Sequence, residues 1–129
     1  MGDEAFFAFV RRLTYPTPES EQDRENPPVH FLDTEGVAKA ATRAAGADLS
    51  WYFDAIVRQK ELPTLEVSTE GSTLHLQWRS ASGRPYPMPV QVLVDGEAVR
   101  VDCPSGHGRL EVGTRTWEVD PSRWLLRAR

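Results

Sequence analysis

The spacing of apolar residues changes at Pro63, and this change constrains the fold more than any other feature of the sequence. Before Pro63, apolar side chains recur every three or four residues, which is the period of a helix. After Pro63 they alternate with polar side chains, which is the period of a half-buried strand. The sequence therefore predicts an α+β chain: about three N-terminal helices packed on a C-terminal antiparallel β-sandwich of about seven strands, with domains at residues 1–62 and 63–129.

The first predicted helix covers residues 3–13. Its acidic start and basic end both suit the helix dipole. Its apolar side chains exceed a single stripe, which is typical of a helix packed on several sides. These side chains are Phe6, Phe7, Phe9, Val10 and Leu13. Such a helix would expose apolar side chains to water if it stood alone, so we expect it to associate with another surface.

Two more helices are predicted before Pro63. The second covers residues 34–45, with an acidic or hydroxyl cap at 33–34 and Gly46 as its left-handed end. The third is capped by Asp48 and runs to Leu62, because the residue before a proline avoids the helical region.

Residues 14–28 separate the first two helices and hold prolines among acidic residues. Prolines interrupt the backbone hydrogen bonding of both helices and sheets, and the acidic residues between them cannot form a hydrophobic core. A loop is therefore predicted. A proline-rich ligand for a partner domain is the alternative, although no clear Pro-x-x-Pro core is present.

Turn residues divide the C-terminal half into short runs of alternating pattern, the last of them at 124–126. Asp95-Gly96 predicts a two-residue hairpin turn. The alternation places one set of side chains on the inward face of the strands. These are Leu74, Leu76, Val90, Val92, Val99 and Val101.

Composition excludes several classes of protein. A net charge of −4 disfavours a nucleic-acid binder, which normally carries a basic patch. A single cysteine excludes an internal disulfide framework. No apolar run approaches the roughly 18 residues of a membrane span, and no signal peptide is evident at the N-terminus. Localisation stays open, with the cytoplasm favoured by the lack of a signal peptide and of disulfides.

The three histidines, His30, His75 and His107, form no His-Glu-x-x-His zinc motif. Cys103 and His107 have a zinc-like spacing, but a structural site needs four ligands and no second pair accompanies them. Ser105 lacks a nucleophile elbow and is predicted to be a turn serine.

His107 and Glu111 are spaced as ligands on a helix would be, but in a strand this spacing spans roughly 13 Å. The tryptophans at 51, 78, 117 and 124 could line a sugar platform, although Trp78 alternates in phase with core residues. The sequence thus predicts no catalytic, cofactor-binding or metal-binding residue in this chain.

Four segments, in this order, carry a resemblance to a known family. They are Gly46–Phe53 (Gly-Ala-Asp-Leu-Ser-Trp-Tyr-Phe), Pro63–Val67 (Pro-Thr-Leu-Glu-Val), Tyr86–Val90 (Tyr-Pro-Met-Pro-Val) and Val119–Leu126 (Val-Asp-Pro-Ser-Arg-Trp-Leu-Leu). Together with the Gly-Asp-x-x-Phe-Phe start, the chain resembles the C-terminal region of zinc aminopeptidases of the aminopeptidase N family.

The resemblance implies that residues 1–62 are the last helices of a catalytic domain and that 63–129 form the sandwich that braces it. The family's zinc motif, its Gly-x-Met-Glu-Asn motif and its catalytic tyrosine have no counterpart here, so zinc is expected only in an upstream part. Whether the chain belongs to an enzyme is left open by its own residues. The implied partner is that upstream catalytic domain, or a second copy bound through the apolar helices. The alternative is a stand-alone β-sandwich module that binds a protein or a glycan.

Overall fold

The computed structural model describes residues 2–23, 25 and 31–128. Within them it confirms the α+β class, with helices preceding strands. The helices are α1 (Asp3–Thr14), α2 (Pro18–Gln22), α3 (Thr34–Ala45) and α4 (Ser50–Ile56). The strands are β1 (Thr64–Glu70), β2 (Thr73–Arg79), β3 (Val90–Val94), β4 (Glu97–Val101), β5 (His107–Glu111) and β6 (Trp117–Val119). No helix among these residues is both long and apolar enough to cross a bilayer.

The chain divides into two compact units, residues 1–50 and 51–129. The first contains α1, α2 and α3, and the second contains nearly all of α4 and every strand. The sequence pattern instead places a domain boundary after Leu62, and that boundary stays a prediction.

Local signals account for α3 as predicted. The Asp33 carboxylate accepts a hydrogen bond from the Gly36 amide at 2.7 Å, and Gly46 ends the helix with a φ of 65°. Ala38 and Ala41 are the buried residues of α3. Small side chains let two helix backbones approach closely, and α3 packs against α1.

The loop predicted at residues 14–28 is wrong for residues 18–22, which form α2. Thr17 and Ser20 make a reciprocal capping box, and Pro18 occupies the first turn, where its missing N–H costs nothing. Residues 24 and 26–30, with Pro27, Pro28 and His30 among them, lie outside the described residues.

The third predicted helix is correct at its start and too long at its end. Asp48 accepts a hydrogen bond from the Ser50 amide at 2.8 Å, but α4 stops at Ile56 instead of Leu62. The Arg58 amide closes the last turn on the Phe53 carbonyl oxygen at 3.2 Å. Residues 58–61 are polar, so a longer helix would bury no further apolar face.

The strands form two antiparallel sheets, ordered β1-β2-β5 and β4-β3-β6. Asp95 and Gly96 make the predicted hairpin turn between β3 and β4, with φ angles of 49° and 87°. The predicted inward residues are confirmed: Val99 is half-buried against the core, and the others are buried. The fully or almost fully buried set comprises Leu74, Leu76, Val90, Val92 and Val101.

The described residues hold six strands, and the predicted run at 124–126 is not one of them. Asp120 and Arg123 adopt positive φ angles of 53° and 54°, which turn the chain out of the extended conformation. Trp124 is consequently 84% exposed. The tail then returns to β1, where the Ala128 amide donates to the Pro63 carbonyl oxygen at 2.9 Å.

The core of the second unit includes part of α4. Ala55 is 1% exposed, and Trp51, Tyr52 and Ile56 pack against the buried strand residues. Trp51, Tyr52 and Ile56 are therefore partly covered within the second unit, and self-association through this helix stays a prediction.

Candidate functional site

His75 and His107 lie on neighbouring strands, on the polar outer face of the β1-β2-β5 sheet. Their rings stack with centroids 5.8 Å apart and an interplanar angle of 27°. Glu70 approaches His75, with 3.8 Å between its Oε2 and the imidazole Nε2. The stack joins two ring faces, whereas a shared metal would require ring nitrogens that converge on one point.

Cys103 does not suit a zinc site. Its side chain is 1% exposed, and a Cβ added to Gly108 would lie only 2.7 Å from its Sγ, so the thiol packs directly on the β5 backbone. Burial raises the pKa of the Cys103 thiol, with the Asp102 carboxylate adding to the effect. A zinc ligand must be a thiolate, which this environment disfavours. Within the described residues, no three His, Cys, Asp or Glu side chains converge as metal ligands would.

Ser105 and Glu111 have structural surroundings. Ser105 is exposed in the turn before β5, as predicted. Glu111 lies at the opposite end of β5 from His107 and accepts a hydrogen bond from the Thr73 hydroxyl at 2.9 Å. Hydrogen bonds from Ser72 and Thr73 hold the pKa of Glu111 below its usual value.

The tryptophans do not form one platform. Trp78 is buried, and its indole N–H donates to the Met88 carbonyl oxygen at 2.8 Å. Trp51 meets the buried Tyr86 edge-to-face at 5.1 Å. Trp117 and Trp124 are 39% and 84% exposed, so of the four tryptophans these two could contact a ligand.

Six carboxylates in or beside the strands are exposed. They are Glu66, Glu70, Glu97, Asp102, Glu111 and Glu118. Two other carboxylates are largely withdrawn from solvent, and the sequence pattern did not single them out.

Asp54 is the first of these two. Its side chain is 14% exposed and accepts hydrogen bonds from Arg58 at 2.6 Å and from Arg84 at 2.5 Å. The spacing of four residues on a helix could have indicated the pair with Arg58. The hydrogen bond to Arg84 joins α4 to the loop between β2 and β3, and no short-range sequence pattern predicts it.

Asp120 is the second, with a side chain 6% exposed. It accepts a hydrogen bond from the Trp124 amide at 3.0 Å, and its Oδ2 lies 3.9 Å from Arg127 Nε. These partners organise the C-terminal turn. Both carboxylates have structural partners, and among the described residues neither is paired with a second acid or a nucleophile. The geometry of these two groups therefore offers no acid–base pair.

An apolar groove of about 490 Å³, here called the α1–α3 groove, lies between α1 and α3 in the first unit. Apolar side chains make up most of its lining, together with Arg12 and Arg43. The apolar lining is Ala5, Ala8, Phe9, Leu13, Pro16, Ala40 and Ala44. Its small apolar side chains would permit close approach of a further helix, and the two guanidinium groups could pair with carboxylates.

The helix α1 also exposes large apolar side chains to solvent. Phe6, Phe7 and Val10 are 49%, 68% and 40% exposed. Clusters of exposed aromatic side chains usually mark an interaction surface. Part of the apolar surface of α1 is thus exposed, and its association with another surface stays a prediction.

Comparisons of this chain with protein-family profiles, curated proteins and solved structures found no match.

Proposed function

We propose that this chain is a non-catalytic structural part of a zinc-dependent aminopeptidase of the aminopeptidase N family. In this proposal residues 1–62 complete a helical catalytic domain, and residues 63–129 form the sandwich domain that follows it. The parent would remove N-terminal residues from peptides, with its zinc and catalytic groups supplied by upstream sequence.

The α1–α3 groove is the observation that carries the proposal. The helices α1 and α3, of 12 residues each, pack together and leave this groove open, with several alanines in its lining. Alanine permits close contact between helices, and Arg12 and Arg43 in the lining favour a neighbour with carboxylates on the same face. A helical domain that continues beyond these two helices would fill the groove.

The segments that carry the resemblance give further support, because they lie at helix ends, strand starts, core positions and turns. Gly46 ends α3 in the left-handed region, and the buried Pro63 begins the sandwich. Tyr86 packs in the aromatic core, and Asp120 organises the closing turn. Residues at such positions determine architecture, as expected if the likeness is one of fold.

A reconstitution experiment tests the proposal. The chain would be coexpressed with the polypeptide encoded immediately upstream, and copurification, zinc content and aminoacyl-amide hydrolysis would be measured. Ala44→Trp places a large side chain in the groove at an exposed position. It should abolish copurification, because the indole would sterically exclude the neighbouring helix. Ala81→Trp, at an exposed position in the loop after β2, is the matched control. Equal binding by both variants would contradict the groove as the docking site.

A stand-alone module that binds a protein or glycan is the second candidate. It is favoured by Trp124, which is 84% exposed beside the C-terminal turn, with Trp117 also partly exposed. Indole rings stack on sugar faces and anchor protein interfaces. Titration with a panel of oligosaccharides, followed by tryptophan fluorescence, tests the glycan form. A change retained in Trp124→Ala would exclude this tryptophan as the contact.

A further inference from the structure

One face of α1 combines an exposed aromatic side chain with charges of opposite sign at its two ends. Glu4, Phe7 and Arg11 recur at spacings of three and four residues and therefore share one side of the helix. Phe7 is 68% exposed, and the small side chain of Ala8 beside it is exposed as well. These four residues and Arg12 line a shallow depression of about 350 Å³. We call Glu4, Phe7, Ala8 and Arg11 the α1 outer face.

This face is complementary to itself when two helices run antiparallel. If a twofold axis passes between Phe7 and Ala8, the Phe7 ring of one copy lies over Ala8 of the other. The same axis places Glu4 of each copy opposite Arg11 of its partner. Large-on-small packing fills the depression, and the carboxylate–guanidinium contact occurs twice. We propose that the α1 outer face is a homodimer interface in which two copies of this chain pair through antiparallel α1 helices.

The charge arrangement decides the direction of pairing. A parallel pair would place Glu4 against Glu4 and Arg11 against Arg11, which is repulsive at both ends. Within the chain, Arg11 meets Glu21 at 3.4 Å, but both side chains are substantially exposed, at 65% and 35%. Surface ion pairs of this kind contribute little, so Arg11 is able to exchange its partner on association.

This interface is distinct from the α1–α3 groove on which the proposed function depends. The two surfaces share Ala8 and Arg12, but Ala44 lines the groove alone and Phe7 lines the outer face alone. Occupation of one surface and occupation of the other are therefore separable by mutation.

A charge-exchange experiment tests the pairing and its register. Glu4→Lys and Arg11→Glu would be prepared separately in the full 129-residue chain, and sedimentation equilibrium would be run at several concentrations. Each variant alone should dimerise about tenfold more weakly than the unmodified chain, because two attractive contacts become repulsive. An equimolar mixture should recover the unmodified affinity, because positions 4 and 11 again carry opposite charges in both contacts of the mixed dimer.

Further variants distinguish this pairing from nonspecific association and from association through the groove. Phe7→Ala should lower dimerisation by at least about tenfold through lost apolar contact. Glu97→Lys, an exposed charge reversal on β4, and Ala44→Trp in the groove should leave it unchanged. Circular dichroism checks that each variant remains helical.

Three results would overturn the proposal. The first is failure of the mixture to associate more tightly than either charge variant alone. The second is a strict monomer at about 1 mM, where even a weak specific dimer is populated. The third is binding of the chain to neutral phospholipid vesicles through Phe7 without dimerisation.

Discussion

The carboxylate of Asp54 in α4 accepts a hydrogen bond from the guanidinium of Arg84, which lies 30 residues further along the chain. The same carboxylate receives Arg58 from its own helix at 2.6 Å. One partly buried acid therefore fastens the short helix to the loop that leads into β3.

Asp54→Asn should lower the free energy of unfolding by about 1–2 kcal/mol, because two charge-assisted hydrogen bonds become neutral ones. Arg84 is 64% exposed, so the loss should be smaller in Arg84→Gln. Urea unfolding of both variants and the double variant measures the coupling between the two residues. Strictly additive losses would mean that the Asp54–Arg84 contact contributes nothing to stability.

The strand register is tested at neighbouring positions of β3. Val92 is 0% exposed, whereas Gln91 is exposed and faces outward. Val92→Asp should destabilise the chain by several kcal/mol (on the order of 3) by burying an unpaired charge, and Gln91→Lys should change stability by less than about 0.5 kcal/mol. Comparable losses in the two variants, measured by thermal or urea unfolding, would contradict the observed register.

Alkaline pH should destabilise the second unit through two buried acids. Burial raises the pKa of Cys103 above its ordinary value of 9.0 and raises the pKa of Tyr86 as well, with Tyr52 adding to the second shift. The folded chain holds these protons more tightly than the unfolded chain does. Their contribution is therefore complete below the unfolded pKa values and is lost as pH rises.

The measurement is urea unfolding from neutral pH to about pH 11, a range that spans the unfolded pKa values of both groups. Cys103→Ala removes one of the two groups and should show a shallower loss above about pH 9. Identical pH profiles for the two proteins would show that the thiol does not contribute. The Cys103 thiol should also react with alkylating reagents only at the rate at which the chain opens.

The isolated chain is expected neither to bind zinc stoichiometrically nor to hydrolyse aminoacyl amides. A catalytic zinc needs about three protein ligands and an open position, and the candidate residue Cys103 is buried, which raises the pKa of its thiol. Metal analysis of chelator-treated, zinc-reloaded protein, run beside an aminoacyl-amide assay, checks both expectations. One tightly bound zinc per chain would contradict this account of the site.

Local chemistry made much of the fold predictable. The caps at Asp33 and Gly46, the Asp95-Gly96 turn and the inward residues of β3 each depend on near neighbours, and all were predicted correctly. The helix α2 was missed because the surrounding prolines outweighed the capping pair at Thr17 and Ser20. The run at 124–126 was misassigned because the positive φ angles before it are set by the turn around Asp120.

The candidate surfaces were less accessible from the sequence. The apolar excess of the first helix predicted an uncovered face, but the α1–α3 groove exists only once α1 and α3 pair. The contact between Asp54 and Arg84 likewise depends on tertiary structure. The order of the four resembling segments suggested the aminopeptidase N family. Among the described residues, no cluster of side chains indicates a particular reaction.

The central claim is that this chain is a structural part of a larger zinc aminopeptidase. The most direct measurement is the mass of the endogenous protein, captured from its own cells with an antibody against the sandwich. Zinc content and aminopeptidase activity would be determined on the same sample. We expect a polypeptide far larger than 14.5 kDa, with one zinc per chain and with activity. A captured species of 14.5 kDa that carries neither zinc nor activity would contradict it.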